Sequence, residues 1–182
     1  ENQLGRHDTA REHLTESIDL LDRSGTAGAR DLAASVGQLG ALAQQQSRYA
    51  EAAALNQRAF EILEREGGLR DADSLVMLSR LALSYEKQGE SARALQLYER
   101  GIPVAEEYLG DEHPVTAGLL ESYGMTLVSS GRERDAEEPL RRAMTKCPNS
   151  CTNTITVNTT RNNTSVIIFD LRNRSGSQIE RI

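Results

Sequence analysis

Hydrophobic positions between Val76 and Tyr108 recur every three or four residues, which is the spacing of an α-helix that is apolar on one side. Gln88-Gly89-Glu90 interrupts this pattern and predicts a tight turn between two helices. The positions expected to face inward are Leu78, Leu81, Ala82 and Tyr85 before the turn, and Ala94, Leu97, Tyr98, Gly101 and Ile102 after it. Small residues alternate with large ones, so the two helices can approach closely. The stretch is therefore predicted to be a helical hairpin.

The same pattern returns every forty-two residues along the chain. The turn residue Gly89 has counterparts at Gly5, Ser47 and Gly131. Further columns in this register are Val36, Leu78 and Leu120; Leu39, Leu81 and Tyr123; Gly40, Ala82 and Gly124; Ala10, Ala52, Ala94 and Ala136; and Ile18, Phe60, Ile102 and Met144. A period of this length, with one helical hairpin in each unit, predicts a solenoid in which successive hairpins stack.

Two local motifs resemble a known family. Leu81-Ala82-x-x-Tyr85 followed by Ala94-x-x-x-Tyr98 resembles the signature of the tetratricopeptide repeat (TPR). The stretch from Leu109 to Pro114 and the stretch from Arg132 to Met144 are similar to repeats of the kinesin light chain type, which are longer. The resemblance covers about residues 1–146. It implies an all-α, right-handed TPR superhelix over residues 1–147, with a non-repeat tail at residues 148–182.

Three complete helical hairpins are expected within the repeats. Their helices are predicted at Asp31–Gln46 and Arg48–Glu66, at Asp73–Gln88 and Ser91–Leu109, and from Pro114 to Ser130 and Glu133 to Lys146. Pro103 lies late in its helix and is expected to kink it, because proline removes one backbone hydrogen bond.

A single helix is predicted ahead of the three hairpins. Residues 1–5 read as the end of a preceding helix, and Arg6 to Asp22 as the second helix of an incomplete pair. Its inward positions are Ala10, Leu14, Ser17, Ile18 and Leu21. Such a helix exposes an apolar stripe, so either the chain is a fragment of a longer array, which we favour, or another segment covers the stripe.

The tail does not continue the repeat. Thr154 to Thr159 and Ser165 to Leu171 are rich in β-branched residues and predict two strands. They form either a hairpin that covers the end of the array or an irregular extension. Cys147 and Cys151 could form a disulfide loop or half of a metal site, but two ordinary thiols are the favoured interpretation.

Composition narrows the function mainly by exclusion. The chain has 182 residues and a formal net charge of −6, so it lacks the basic surface that nucleic-acid binding requires. It has no apolar run near the length of a membrane span and no visible signal peptide. We therefore expect a cytoplasmic protein that binds neither nucleic acid nor a membrane.

No motif for catalysis, a cofactor or a metal is present. His113 precedes Pro114 in a predicted turn, where an imidazole is expected to cap the following helix. Acidic residues are numerous, but they alternate with arginines on predicted solvent faces, which is typical of solvated ion pairs. The chain is not expected to be an enzyme or to need a cofactor.

The TPR resemblance implies that the first helix of each hairpin lines a concave groove. Ala41, Leu83 and Met125 would form an apolar floor, and polar residues would form its rim. The candidate peptide-binding residues are Gln38, Ala41, Gln45, Ser79, Arg80, Leu83, Lys87, Glu121, Ser122 and Met125. The expected partner is a protein or peptide segment held as in other peptide-binding grooves. The alternative is a homodimer formed through the exposed first helix or the tail.

Overall fold

The computed structural model describes the backbone of residues 2–24, 28–146, 154–159 and 165–170. Its helical part consists of seven helices in the described residues. They are α1 (Asn2–Ser24), α2 (Ala29–Gln45), α3 (Tyr49–Gly67), α4 (Ala72–Lys87), α5 (Ser91–Tyr108), α6 (Pro114–Ser129) and α7 (Glu133–Lys146). The six helices of the three predicted hairpins are confirmed, with ends that differ by at most two residues.

The helices stack in chain order. Each helix from α1 to α7 contacts the next one, and the first helices of the hairpins also contact one another, α2 with α4 and α4 with α6. The arrangement is therefore an all-helical repeat array in which α2, α4 and α6 lie side by side.

The forty-two-residue period is visible in the backbone of the turns. Ser47, Gly89 and Gly131 all have positive φ, at 58°, 80° and 73°. Glycine adopts this left-handed conformation without strain, whereas a side chain crowds the carbonyl in it. Ser47 is the one residue other than glycine with positive φ in the described part of the chain.

Most residues of the predicted core columns are buried, whereas Leu39, Tyr123 and Met144 are half-buried and Ala10 is exposed. Val36 and Leu78 are 0% exposed and Leu120 is 1% exposed. Behind them, the second helices approach the first helices at positions where a small residue is required. A Cβ atom built on Gly124 would lie 2.5 Å from Cγ of Leu140, so no larger residue fits there without movement.

Ion pairs at equivalent positions link each second helix to the next. Asp22 pairs with Arg58, Glu64 with Arg100, and Glu106 with Arg142. These pairs join α1 to α3, α3 to α5, and α5 to α7. Each partner is partly exposed, so one pair stabilises the fold by at most about 1 kcal/mol. Their regular recurrence shows that the same helix spacing is kept along the array.

The prediction for the first helix was wrong in two respects. Gly5 does not interrupt it, because α1 is continuous from Asn2 to Ser24. A glycine inside a helix costs only about 1 kcal/mol, and no antiparallel neighbour requires a turn there. Ala10 is also exposed, whereas its counterparts Ala52 and Ala94 are 0% exposed. The residues described include no helix that packs on that side of α1.

His113 and Pro103 lie at the beginning of α6 and inside α5, respectively. Nδ1 of His113 accepts a hydrogen bond from the backbone N–H of Val115 at 3.2 Å, so the predicted cap is confirmed. Pro103 lies inside α5, and the helix continues to Tyr108.

Two strands follow the helices. β1 (Thr154–Thr159) pairs antiparallel with β2 (Ser165–Asp170), with Thr154 opposite Asp170. Cys147 and Cys151 lie outside the described residues, as does Leu171, so the expectations for them stay predictions.

The turn at Ser47 leads to a stability prediction. We expect Ser47→Gly to raise the free energy of unfolding by about 0.5 to 1 kcal/mol. The substitution removes the strain of a left-handed serine, and this gain exceeds the entropic cost of ordering a more flexible glycine. Urea denaturation measures the change. The matched control is Gly89→Ser, which introduces the same side chain at the equivalent turn and should destabilise the protein. A neutral or destabilising Ser47→Gly would contradict the strain at this turn.

Candidate peptide-binding groove

The ten predicted binding residues lie on three neighbouring helices. We call the solvent-facing side of α2, α4 and α6 the first-helix surface. None of the ten is fully buried. Gln38, Gln45, Lys87 and Met125 are exposed, whereas Ala41, Ser79, Arg80, Leu83, Glu121 and Ser122 are half-buried. Met125 is 36% exposed, which is unusual for a large apolar side chain in this protein.

A pocket lies between α2 and α4 on this surface. It has a volume of about 230 Å³. Its lining residues are Arg30, Ala34, Gln38, Leu63, Asp73, Val76, Met77 and Arg80. Only Gln38 and Arg80 belong to the predicted set, and the other eight predicted residues lie outside this pocket. Five of the six missed residues lie one or two turns closer to the N-termini of α2 and α4, and the sixth, Leu63, belongs to α3. The repeat period does not show that these residues meet.

Arg30 is held at the edge of this pocket by the N-terminus of α4. Its Nη2 atom donates to Oδ2 of Asp71 at 2.8 Å. The other oxygen of Asp71 caps α4, since Oδ1 accepts from the backbone N–H of Ser74 at 2.9 Å. Burial alone raises the pKa of Asp71, but the hydrogen bonds from Ser74 and Arg30 outweigh it and lower the pKa below 3.8. The carboxylate of Asp71 thus both caps the N-terminus of α4 and positions the guanidinium group of Arg30.

A polar junction lies between α4 and α6. The hydroxyl of Thr126 donates to Oε2 of Glu86 at 2.8 Å and also lies 2.8 Å from the backbone oxygen of Ser122. Tyr98, from α5, extends beneath this contact and is 0% exposed. Burial, followed by the negative charge of Glu86, raises the pKa of Tyr98 to about 12. Thr126 was absent from the predicted set, and the sequence offers only its shared column with Ser84 as a signal.

The junction between α2 and α4 is built from the equivalent positions. Nδ2 of Asn56, the counterpart of Tyr98, donates to Oγ of Ser84 at 3.0 Å. Ser84, the counterpart of Thr126, in turn donates to the backbone oxygen of Arg80 at 2.9 Å. Gln44 stands where the other junction has Glu86. The two junctions therefore share a hydrogen-bonding plan but differ in charge.

Glu121 is a further carboxylate on the first-helix surface. Burial raises its pKa, and no charged neighbour counters this effect among the described residues.

Elsewhere, a hollow of about 410 Å³ between α1, α2 and α3 is lined by the Asp22 and Arg58 ion pair. Its charges are already paired, and it lies away from the first-helix surface.

Within the described part of the chain, no group of three or more His, Cys, Asp or Glu side chains is arranged to hold a metal ion. None of the helices described there is both long and apolar enough to cross a membrane.

The fold and this surface define the class of an α-solenoid built from helical hairpins. The tetratricopeptide repeat family model matches residues 1–65 and 73–148, so the chain belongs to the TPR family. TPR repeats generally mediate protein–protein interaction.

Individual relatives support the predicted kinesin light chain type. The protein KINESIN LIGHT CHAIN-RELATED 2 of Arabidopsis thaliana is 27% identical over 131 residues, which are 72% of this chain and 20% of the relative. The chain thus spans about a fifth of that relative's length.

Solved structures agree in fold. BtubC (BKLC) from P. vanneervenii has a TM-score of 0.65 and 18% identity, covering 79% of this chain and 58% of the other. A TPR-like repeat array from Podosopora anserina, assigned as a kinesin light chain, has a TM-score of 0.61 and 20% identity, covering 80% of this chain and 75% of the other.

The double role of Asp71 leads to a pH-dependent prediction. We expect Asp71→Ala to lower the free energy of unfolding by about 1 kcal/mol at pH 7, mainly through loss of the helix cap. Because the pKa of Asp71 is lowered in the folded state, this stabilisation is present above its unfolded pKa near 3.8 and is lost as the pH falls further. Urea unfolding at several pH values measures both effects.

The control is Asp73→Ala, which removes a carboxylate from the same helix end without removing the cap. If the difference in free energy of unfolding between Asp71→Ala and the unmodified chain stays constant from pH 7 to about pH 2, the lowered pKa assigned to Asp71 is contradicted.

Proposed function

We propose that this chain holds a peptide segment of a partner protein along the first-helix surface, as a scaffold or adaptor module. The observation that carries the proposal is the row of partly exposed apolar side chains on three adjacent helices, Ala41, Leu83 and Met125. They increase in size from α2 to α6, and polar residues flank them on both sides. Such a row suits a short extended or helical segment with one or two apolar anchors.

Positioned polar groups support the same proposal. Arg30 is fixed beside the pocket by Asp71, and Arg80 lines the pocket without an ion pair among the described residues. A bound segment can therefore bury an apolar side chain against Val76 and Met77 while its polar groups meet these cations. Specificity would come from the polar groups, since apolar contacts alone discriminate little between similar segments.

A second candidate function is self-association through α1. Leu20 is 62% exposed, and Ala10 is exposed on a side that the equivalent helices bury. A second copy could cover this apolar side.

Three other expectations are not tested by the structure. The cytoplasmic location and the capping role of the two strands stay predictions. The roles of the longer relatives are proposals for this chain.

The main proposal predicts the effect of charges on the apolar row. Peptides that bind the chain are first selected from a random phage-displayed library, and their affinity is then measured by fluorescence polarisation. We expect Leu83→Glu with Met125→Glu to weaken binding at least tenfold, because two carboxylates replace the apolar floor. Far-UV circular dichroism and the melting temperature should change little, because both side chains are partly exposed.

The matched control is Ala50→Glu with Ala92→Glu. These residues are exposed at equivalent places on the second helices α3 and α5, so they add the same charge away from the surface. Equal binding by both double variants would place the site elsewhere.

The second candidate predicts the mass of the chain in solution. Light scattering coupled to size exclusion should then show a dimer that Leu20→Glu converts to a monomer. A monomer at all concentrations would rule out this function and leave the first-helix surface as the site.

A further inference from the structure

The junction between α4 and α6 contains a buried polar group without a partner. The hydroxyl oxygen of Tyr98 is inaccessible to solvent and makes no hydrogen bond among the described residues. The hydroxyls of Ser122, Ser79 and Thr126 lie near it. Thr126 directs its own hydroxyl to Glu86 at 2.8 Å. A buried hydroxyl without a well-aligned hydrogen bond is rare in folded proteins, and here its neighbours include three other hydroxyls.

The side chains around this hydroxyl all present oxygen atoms that can accept hydrogen bonds. The junction offers the carboxylate of Glu86 and the hydroxyls of Ser79, Tyr98, Ser122 and Thr126, and none of these side chains contains nitrogen. Hydroxyl hydrogens can rotate, so each of these oxygens can accept a hydrogen bond. Each of these five side chains can therefore accept a hydrogen bond from a ligand group that has donors and no acceptors.

The junction also carries a partly uncompensated negative charge. Glu86 is 23% exposed, and the nearest cation is Lys87, whose Nζ lies 3.8 Å from Oε1. Lys87 is 47% exposed and adjacent in sequence, so solvent screens this pair. Ser79 and Ser122 are half-buried and lie at the first-helix surface with Glu86, whereas Tyr98 and Thr126 are 0% exposed beneath them.

We propose that the junction formed by Ser79, Glu86, Tyr98, Ser122 and Thr126 is a subsite for a lysine ammonium group of the bound segment. The ammonium group is compact, carries three donors and no acceptor, and matches one carboxylate surrounded by hydroxyls. This inference rests on the proposed function, because the lysine belongs to a segment lying along the first-helix surface. The junction between α2 and α4 lacks the charge, since Gln44 replaces Glu86 there.

Selection from a random peptide library tests the subsite. Three versions of the full chain are used, the unmodified chain, Glu86→Gln and Glu107→Gln. Glu86→Gln gives this junction the neutral side chain of its counterpart, and Glu107→Gln removes an equal charge from an exposed position on the second helix α5, away from the candidate binding residues. We expect lysine to be enriched at a fixed distance from the apolar residues in peptides selected by the unmodified chain and by Glu107→Gln. Glu86→Gln should lose this enrichment.

A second measurement remains informative if Glu86→Gln weakens the fold. One selected peptide is synthesised with lysine and with norleucine at the enriched position, and both are tested by fluorescence polarisation against the unmodified chain and Tyr98→Phe. Norleucine should bind about tenfold more weakly to the unmodified chain. The difference should shrink severalfold with Tyr98→Phe, because that variant lacks the hydroxyl.

The outcomes separate the two proposals. Selected peptides without lysine enrichment, or enrichment that Glu86→Gln leaves unchanged, would overturn the subsite but not peptide binding. Equal binding of a lysine peptide and its glutamine analogue would also overturn it, because a carboxamide would then suffice. Failure to select any peptide, or selection insensitive to Leu83→Glu with Met125→Glu, would overturn the proposed function itself.

Discussion

The array depends on the burial of each described helix against its neighbours in the stack. Ala52, Ala94 and Ala136 are each 0% exposed, and each lies in the second helix of a complete hairpin. Ala10 occupies the same place in α1, and it is exposed although α1 contacts α2, because the described residues include no first helix that completes its hairpin. The contrast shows that contact with the next repeat alone does not bury this column. Stability accordingly accumulates from one interface to the next.

This dependence separates the residues that pack from the residues that are free to vary. The column of Gly40, Ala82 and Gly124 stays small, because a second helix crosses there at contact distance. The column of Gln44, Glu86 and Val128 changes from polar to charged to apolar, although all three residues are half-buried on the first-helix surface. Packing imposes no single residue type at that column, so differences in recognition can arise there without altering the repeat.

The features that the sequence predicts well are local. The turns at Gly89 and Gly131 and the cap at His113 depend on a few adjacent residues, and the structure contains all of them. The ion pair between Glu64 and Arg100 could not be anticipated, because it depends on the distance between two helices that are not consecutive. The pocket beside α4 was only partly predicted for the same reason. Its lining comes from three helices, and a period identifies equivalent residues without showing which of them meet.

The buried polar atoms beneath the first-helix surface are not needed to form the repeat. Asn56, Tyr98 and Leu140 occupy equivalent positions, and each is 0% exposed. Leu140 shows that a purely apolar residue fills this position in the same helical arrangement. Because burying a polar group without full hydrogen bonding costs stability, packing alone would favour leucine in all three repeats. The polar residues occur at the two junctions that face α4. That is the central helix of the first-helix surface, where a bound segment would meet both junctions.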